Sequence, residues 1–275
     1  MASIILVLGG VEDEAGKTIM SKAICKGLKR RYEVQFCKPI SGHNSWYHYD
    51  HLLRCLSEKQ IFSRDACEVR KTLALTTPIE VVNPIDCLFS PVRYGSSLWG
   101  SRPSQAVLER FTMLSGEGVK NIYLKLNSKD MSSTIMDPET LNPLLSSAAE
   151  IHEPDDWRAV EGTLVEGAIT SCLKGLKESS DIVVVEGHDD RCPVMDDDLS
   201  LAVVVAPGHL SIYGGKEFRD GFYSVLNIRA EVSARDVLPL LTPLEIYEIR
   251  PIAVSSTEET SKFEKGISEI FSNFF

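Results

Sequence analysis

Gly10-Val11-Glu12-Asp13-Glu14-Ala15-Gly16-Lys17-Thr18 combines the residue types that hold phosphate. Backbone N–H groups of a glycine-rich turn, and of the helix that it opens, point at an anion. Lys17 adds a point charge for the terminal phosphates, and the Thr18 hydroxyl is a ligand for Mg²⁺. The usual phosphate-loop spacing is one residue tighter, because here Val11 to Ala15 separate Gly10 from Gly16. The acidic run Glu12-Asp13-Glu14 repels a nucleotide unless it faces solvent, Mg²⁺ or a cationic substrate group.

Two later stretches carry matching chemistry. Glu186 ends the apolar run Ile182 to Val185, the form of a second motif that ligates or orients Mg²⁺. Lys38-Pro39-Ile40-Ser41-Gly42 opens where the strand-like Val34-Gln35-Phe36-Cys37 stops. His43, His48, Asp50 and His51 follow closely. His48 and His51 stand three apart and would share a helix face, so they read either as a metal-ligand pair or as histidines of a surface or substrate loop. Asp196-Asp197-Asp198 reads as a divalent-cation site or as a solvated acidic turn. Trp46 and the neighbouring tyrosines would stack on a ligand or pack a helix.

The elements that must position these groups follow from periodicity. Ile4 to Leu8 is a buried strand, and Ile19-Met20, Ala23-Ile24 and Gly27-Leu28 give the next segment one apolar helical face. Further strands are expected at Val34 to Cys37, Asp181 to Glu186, Leu201 to Val205 and Ile249 to Val254, the last weakened by Pro251. Continuous β-branched runs suit a parallel sheet covered on both faces. A long helix is expected from about Asp155, its N-cap, to Ser179, with Trp157, Val160, Leu164, Ala168, Cys172 and Leu176 at helical spacing. A last helix is expected over about Glu258 to Phe274. The pattern predicts an α/β fold with a doubly wound, mostly parallel sheet and helices on both faces. The stretch Thr76 to Asn142 is rich in Pro, Ser, Gly and aromatics and reads as long loops with short elements, including a strand from Lys120 to Leu126. We expect one domain over residues 1–275 with an insertion at about 76–155.

Composition narrows the function classes. A formal net charge of −10 argues against a general nucleic-acid binder. Seven cysteines show no Cys-x-x-Cys spacing, and several sit in apolar patterns, so reduced thiols in a cytoplasmic protein are expected. The N-terminus enters the first strand without a basic leader, and no apolar run is long enough for a bilayer.

These stretches resemble the dethiobiotin synthetase family. The long loop Gly10 to Thr18, with Glu14 two before the second glycine, looks like that family's phosphate loop. Lys38-Pro39-Ile40 with Ser41-Gly42 is similar to its Lys-Pro motif, and Val183-Val184-Val185-Glu186-Gly187 to its Val-Glu-Gly strand end. The resemblance implies an ATP- and Mg²⁺-dependent ligase that phosphorylates a carbamate formed from a diamine and CO₂ and closes it to a cyclic urea. It implies Gly10, Glu14, Ala15, Gly16, Lys17 and Thr18 as nucleotide contacts, and Thr18, Asp50 and Glu186 as the metal site. Lys17, Lys38 and Glu186 would be catalytic, Ser41 and Gly42 would contact the small-molecule substrate, and the protein would be a homodimer. The chain departs from the family after Glu186-Gly187, where His188-Asp189-Asp190 replaces small residues. A nucleotide-dependent switch or scaffold acting on a protein partner is the alternative, and a loop that binds no nucleotide is a third.

Overall fold

The computed structural model describes every residue except 1, 12–14, 97–99, 101–102, 147, 155–156, 189–195, 230–231 and 254, and only the backbone of 157–159. The chain opens with β1 (Ser3–Gly9), α1 (Lys17–Leu28), β2 (Val34–Cys37), β3 (Ile40–Asn44), α2 (Tyr49–Glu58), α3 (Arg64–Thr72) and α4 (Ile79–Val82). Next come β4 (Ile85–Pro91), β5 (Ser104–Ser115), β6 (Gly118–Lys125), α5 (Ser128–Met131), α6 (Asn142–Leu145), β7 (Glu150–His152) and α7 (Trp157–Glu178). It closes with β8 (Ile182–Glu186), β9 (Leu199–Ala206), β10 (His209–Gly214), α8 (Gly215–Leu226), α9 (Ala234–Val237), β11 (Glu245–Glu248) and α10 (Thr257–Phe271). The result is a mixed α/β protein in two compact units. The first comprises Met1–Pro39, Glu68–Thr76 and Leu176–Phe275, and the second Ile40–Cys67 and Thr77–Gly175.

The first unit holds a six-stranded sheet in the order β11-β10-β9-β1-β8-β2. β2, β8, β1 and β9 run parallel, whereas β10 and β11 are antiparallel additions at one edge. Ile4 to Leu8 and Val183 to Val185 are fully buried, as continuous apolar runs in a covered parallel sheet should be. The β9–β10 turn places Gly208 at φ 86, a left-handed conformation that suits glycine. α10 begins with Ser256 Oγ accepting from the Glu259 N–H at 3.3 Å. It crosses α1 closely at Gly27, where a Cβ would lie 2.9 Å from Ser268 Cα.

One expected strand is absent. Residues 249–253 form no strand and Val254 lies outside the described residues; the edge strand is instead Glu245–Glu248. Pro251 cannot donate to a ladder, and the mostly exposed Glu245–Glu248 suits an edge.

The second unit is built on a five-stranded sheet in the order β3-β4-β5-β6-β7. The central pairs β4–β5 and β5–β6 are antiparallel, and the outer pairs β3–β4 and β6–β7 are parallel. The expectation of long loops from Thr76 to Asn142 is therefore corrected, because β4, β5 and β6 fill much of it. Buried polar residues disguise them. Arg110, in the middle of β5, is fully buried and donates to the carbonyls of Ile61 (2.8 Å), Asn83 (2.7 Å) and Pro84 (3.4 Å) and to the Thr112 hydroxyl. Asp86, also fully buried, stands opposite Arg110 in the β4–β5 register. Such residues survive inside only when paired. α7 begins at Trp157, with its expected N-cap Asp155 outside the described residues. Val160, Leu164 and Ala168 pack with Ile85, Phe111, Ile122 and Leu124 of the sheet, as their helical spacing predicts.

Candidate functional site

The first unit assembles its chemistry at neighbouring strand ends. β8 pairs with β1 on one side and β2 on the other, with Glu186 opposite Val7 and Val185 opposite Cys37. The glycine-rich loop leaves β1, Lys38 follows β2, and Glu186 ends β8. Their carboxyl ends thus lie side by side, where open α/β sheets place ligands.

The loop is shaped by its glycines. Gly10 N–H donates to the Val205 carbonyl at 2.8 Å, and a Cβ there would come within 3.1 Å of Ala206 Cβ. Gly16 turns the chain into α1 with φ 87, and Ala15 beside it is buried. No side chain among the described residues caps α1, and its first turn holds no acid. Uncapped N–H groups at the head of a helix three turns long leave a place for an anion. Glu12, Asp13 and Glu14, including the expected nucleotide contact Glu14, lie outside the described residues.

Thr18, Lys38 and Glu186 meet at one atom. Thr18 Oγ1 donates to Glu186 Oε1 at 3.0 Å, and Lys38 Nζ donates to the same oxygen at 2.9 Å. Glu186 is fully buried, and the Lys38 side chain is 8% exposed. Glu186 Oε2 is buried too and has no hydrogen-bond partner among the described residues. An orphaned carboxylate oxygen inside a protein is costly, and a cation or its water would satisfy it. The threonine proton goes to Glu186, which leaves the hydroxyl lone pairs for a metal. Thr18 and Glu186 therefore fit Mg²⁺, with Lys17, at the first position of α1, beside them.

The expected residues Ser41, Gly42 and Asp50 belong to the second unit. Ser41 is buried in β3; its hydroxyl donates to Asp86 Oδ1 at 2.5 Å and accepts from Asn83 Nδ2 at 2.9 Å. Gly42 is crowded, since a Cβ would lie 2.9 Å from the Phe89 ring. Asp50 is exposed in the first turn of α2. Asp196 and Asp198 pair with Lys177, and Asp197 with Arg219 at 2.6 Å, which favours the acidic-turn reading.

The histidines sort differently from their sequence spacing. His48 is exposed at the N-cap of α2, with Nδ1 accepting from the Asn44 N–H at 3.2 Å. Burial first, then Arg64 and the other two histidines, lower its pKa. His43 and His51 are buried with rings 4.8 Å apart, and Cys55 lies one helical turn beyond His51. His43 Nδ1 is 3.1 Å from Asp86 Oδ2. Burial works to lower the His43 pKa, but Asp86, helped by Cys55, outweighs it and pushes it up to about 10. Burial works against ionising Cys55, yet His43 and His51 hold its thiol below the usual range. Cys55 and Asp86 were missed in sequence; the His51–Cys55 spacing of four was the available signal. The six described cysteines form no disulfide and are buried, and Cys192 lies outside the described residues.

No protein-family model matches this chain, and no curated protein matches it in sequence. No described helix is long and apolar enough to cross a membrane.

Proposed function

We propose that the first unit is a phosphate-loop nucleotide site, and that the protein is an ATP- and Mg²⁺-dependent enzyme that phosphorylates a carboxylate or carbamate. The nearest model is closure of a diamine carbamate to a cyclic urea. The reading is carried by the meeting of Thr18 and Lys38 on Glu186 beside a helix start that no described side chain caps. Mg²⁺, when bound, neutralises charge on the transferring phosphoryl group. The N–H groups of Gly16, Lys17 and Thr18 align the phosphates, Lys17 adds charge, and Thr18 and Glu186 hold the metal side. Lys38 keeps a cation at the strand end while balancing Glu186. Rate then comes from positioning and fixed electrostatics rather than from a covalent step on the protein.

The test is phosphate release from ATP with Mg²⁺, bicarbonate and a panel of diamines and carboxylates, with GTP as the competing nucleotide. Lys17→Ala should lower turnover by about 10²–10³. Unchanged turnover in that variant would end the phosphate-loop reading.

A switch or scaffold role is favoured by one observation. Trp46, Tyr47 and Tyr49 are 66%, 77% and 57% exposed beside one another, the residue types that anchor protein partners. Hydrolysis stimulated by a protein, with no small-molecule product, would support this second reading.

A further inference from the structure

The nucleotide reading leaves one buried polar cluster in the second unit unused. His43 lies on β3 and His51 and Cys55 on α2, all three buried, and one ligating atom from each lies within 4.8 Å of the others. We infer that His43, His51 and Cys55 form a binding site for a borderline-soft transition-metal cation, zinc first, with Asp86 positioning His43 from behind.

Donor chemistry selects the class of ion. Two imidazoles and a thiolate suit zinc, cobalt or copper, whereas Mg²⁺ and Ca²⁺ require oxygen. Tetrahedral donors sit roughly 3.3–3.8 Å apart given metal bonds of about 2.0–2.3 Å. The cluster is therefore about 1 Å from closing on an ion, a change within reach of side-chain rotation.

The surroundings match a ligand site. One nitrogen of each ring is addressed from outside the trio: His51 Nε2 lies 2.6 Å from the Phe62 carbonyl oxygen, and His43 Nδ1 lies 3.1 Å from Asp86. Carbonyls and carboxylates in such places orient metal-bound histidines. Asp86 is held in turn by the Ser41 hydroxyl at 2.5 Å. His43 Nδ1 and Nε2 and Asp86 Oδ2 are buried with no hydrogen-bond partner among the described residues, and Cys55 Sγ stands 3.6 Å from His51 Nε2, the nitrogen that also faces the Phe62 carbonyl. An ion would satisfy a His43 nitrogen. Three protein donors leave one position for a small ligand such as water.

A metal-free Cys55–His43–Asp86 nucleophile is the competing chemistry. Cys55 is fully buried, which places its sulfur out of reach of a substrate.

The test uses the full chain, stripped with a chelator, confirmed folded by circular dichroism and titrated with Co²⁺. We expect one equivalent to bind, with a thiolate-to-cobalt charge-transfer band and tetrahedral d–d bands, and Zn²⁺ to displace it. Cys55→Ser should abolish the thiolate band and Asp86→Asn should weaken Zn²⁺ binding about 10–100-fold. His48→Ala, at an exposed residue outside the trio, should change neither. Absence of a thiolate band in the folded wild-type chain would overturn the proposal. So would an equal band in Cys55→Ser. The wild-type titration does not depend on any variant folding.

Discussion

Lys38→Met, Glu186→Gln and their combination probe the buried pair at the strand ends. In Lys38→Met the fully buried Glu186 keeps only the Thr18 hydroxyl as a partner among the described residues. In Glu186→Gln the ammonium of Lys38, whose side chain is 8% exposed, loses this carboxylate but keeps a further interaction. Stranding one member of a buried ion pair costs about 3–5 kcal/mol, because the desolvated charge is no longer compensated. At roughly 2–4 °C per kcal/mol for a chain of this size, Lys38→Met should melt about 6–20 °C lower, and Glu186→Gln by less. The combined variant strands no charge, and the amide oxygen that Glu186→Gln introduces can still accept from Thr18, so it should fall within about 2 kcal/mol of wild type. Urea and thermal unfolding followed by circular dichroism give all four corners of the cycle. A cost under about 1 kcal/mol in Lys38→Met, the range of solvent-exposed pairs, would refute the reasoning. So would additive costs in the double. Nucleotide turnover separates chemistry from folding, since the combined variant should regain stability without regaining Mg²⁺-dependent hydrolysis.

Two other outcomes follow from single positions. Gly16→Ala keeps space for its methyl, with Val205 Cγ1 at 3.9 Å, but forces φ 87 on an L-residue; unfolding in urea should show a loss of about 1–2 kcal/mol. Tyr123 is fully buried, and burial pushes its phenol from 10.0 up to about 12. The folded pKa is raised, so this contribution is present below pH 10 and lost as pH rises through about 12. Tyr123→Phe should remove that loss. The stability difference between the two chains should shift by about 2–3 kcal/mol from neutral pH to pH 12, read by urea unfolding across the series. A constant difference would contradict it.

The parts of the fold legible from sequence share one property. β1, β2, β8 and β9 are apolar runs bounded by turn residues, and burial on both faces leaves that trace. The second unit hid because β4 and β5 carry Asp86, Glu109 and Arg110 inside, where hydrogen bonding rather than hydropathy justifies their place. β11 is an edge strand of largely exposed residues and gives almost no hydrophobic signal. Site chemistry divided the same way. Thr18, Lys38 and Glu186 were readable because each follows or ends one of the neighbouring parallel strands β1, β2 and β8. His48 and His51 looked like a pair by spacing alone. The start of α2 after His48 places that histidine at the exposed cap and aligns His51 with Cys55 a turn later.

Calorimetric titration of the full chain with ATP and Mg²⁺ tests the central claim most directly. The account predicts one saturable site, strengthened by Mg²⁺ and lost or weakened at least tenfold in Lys17→Ala. No heat with ATP or GTP, or the same affinity in Lys17→Ala, would contradict it.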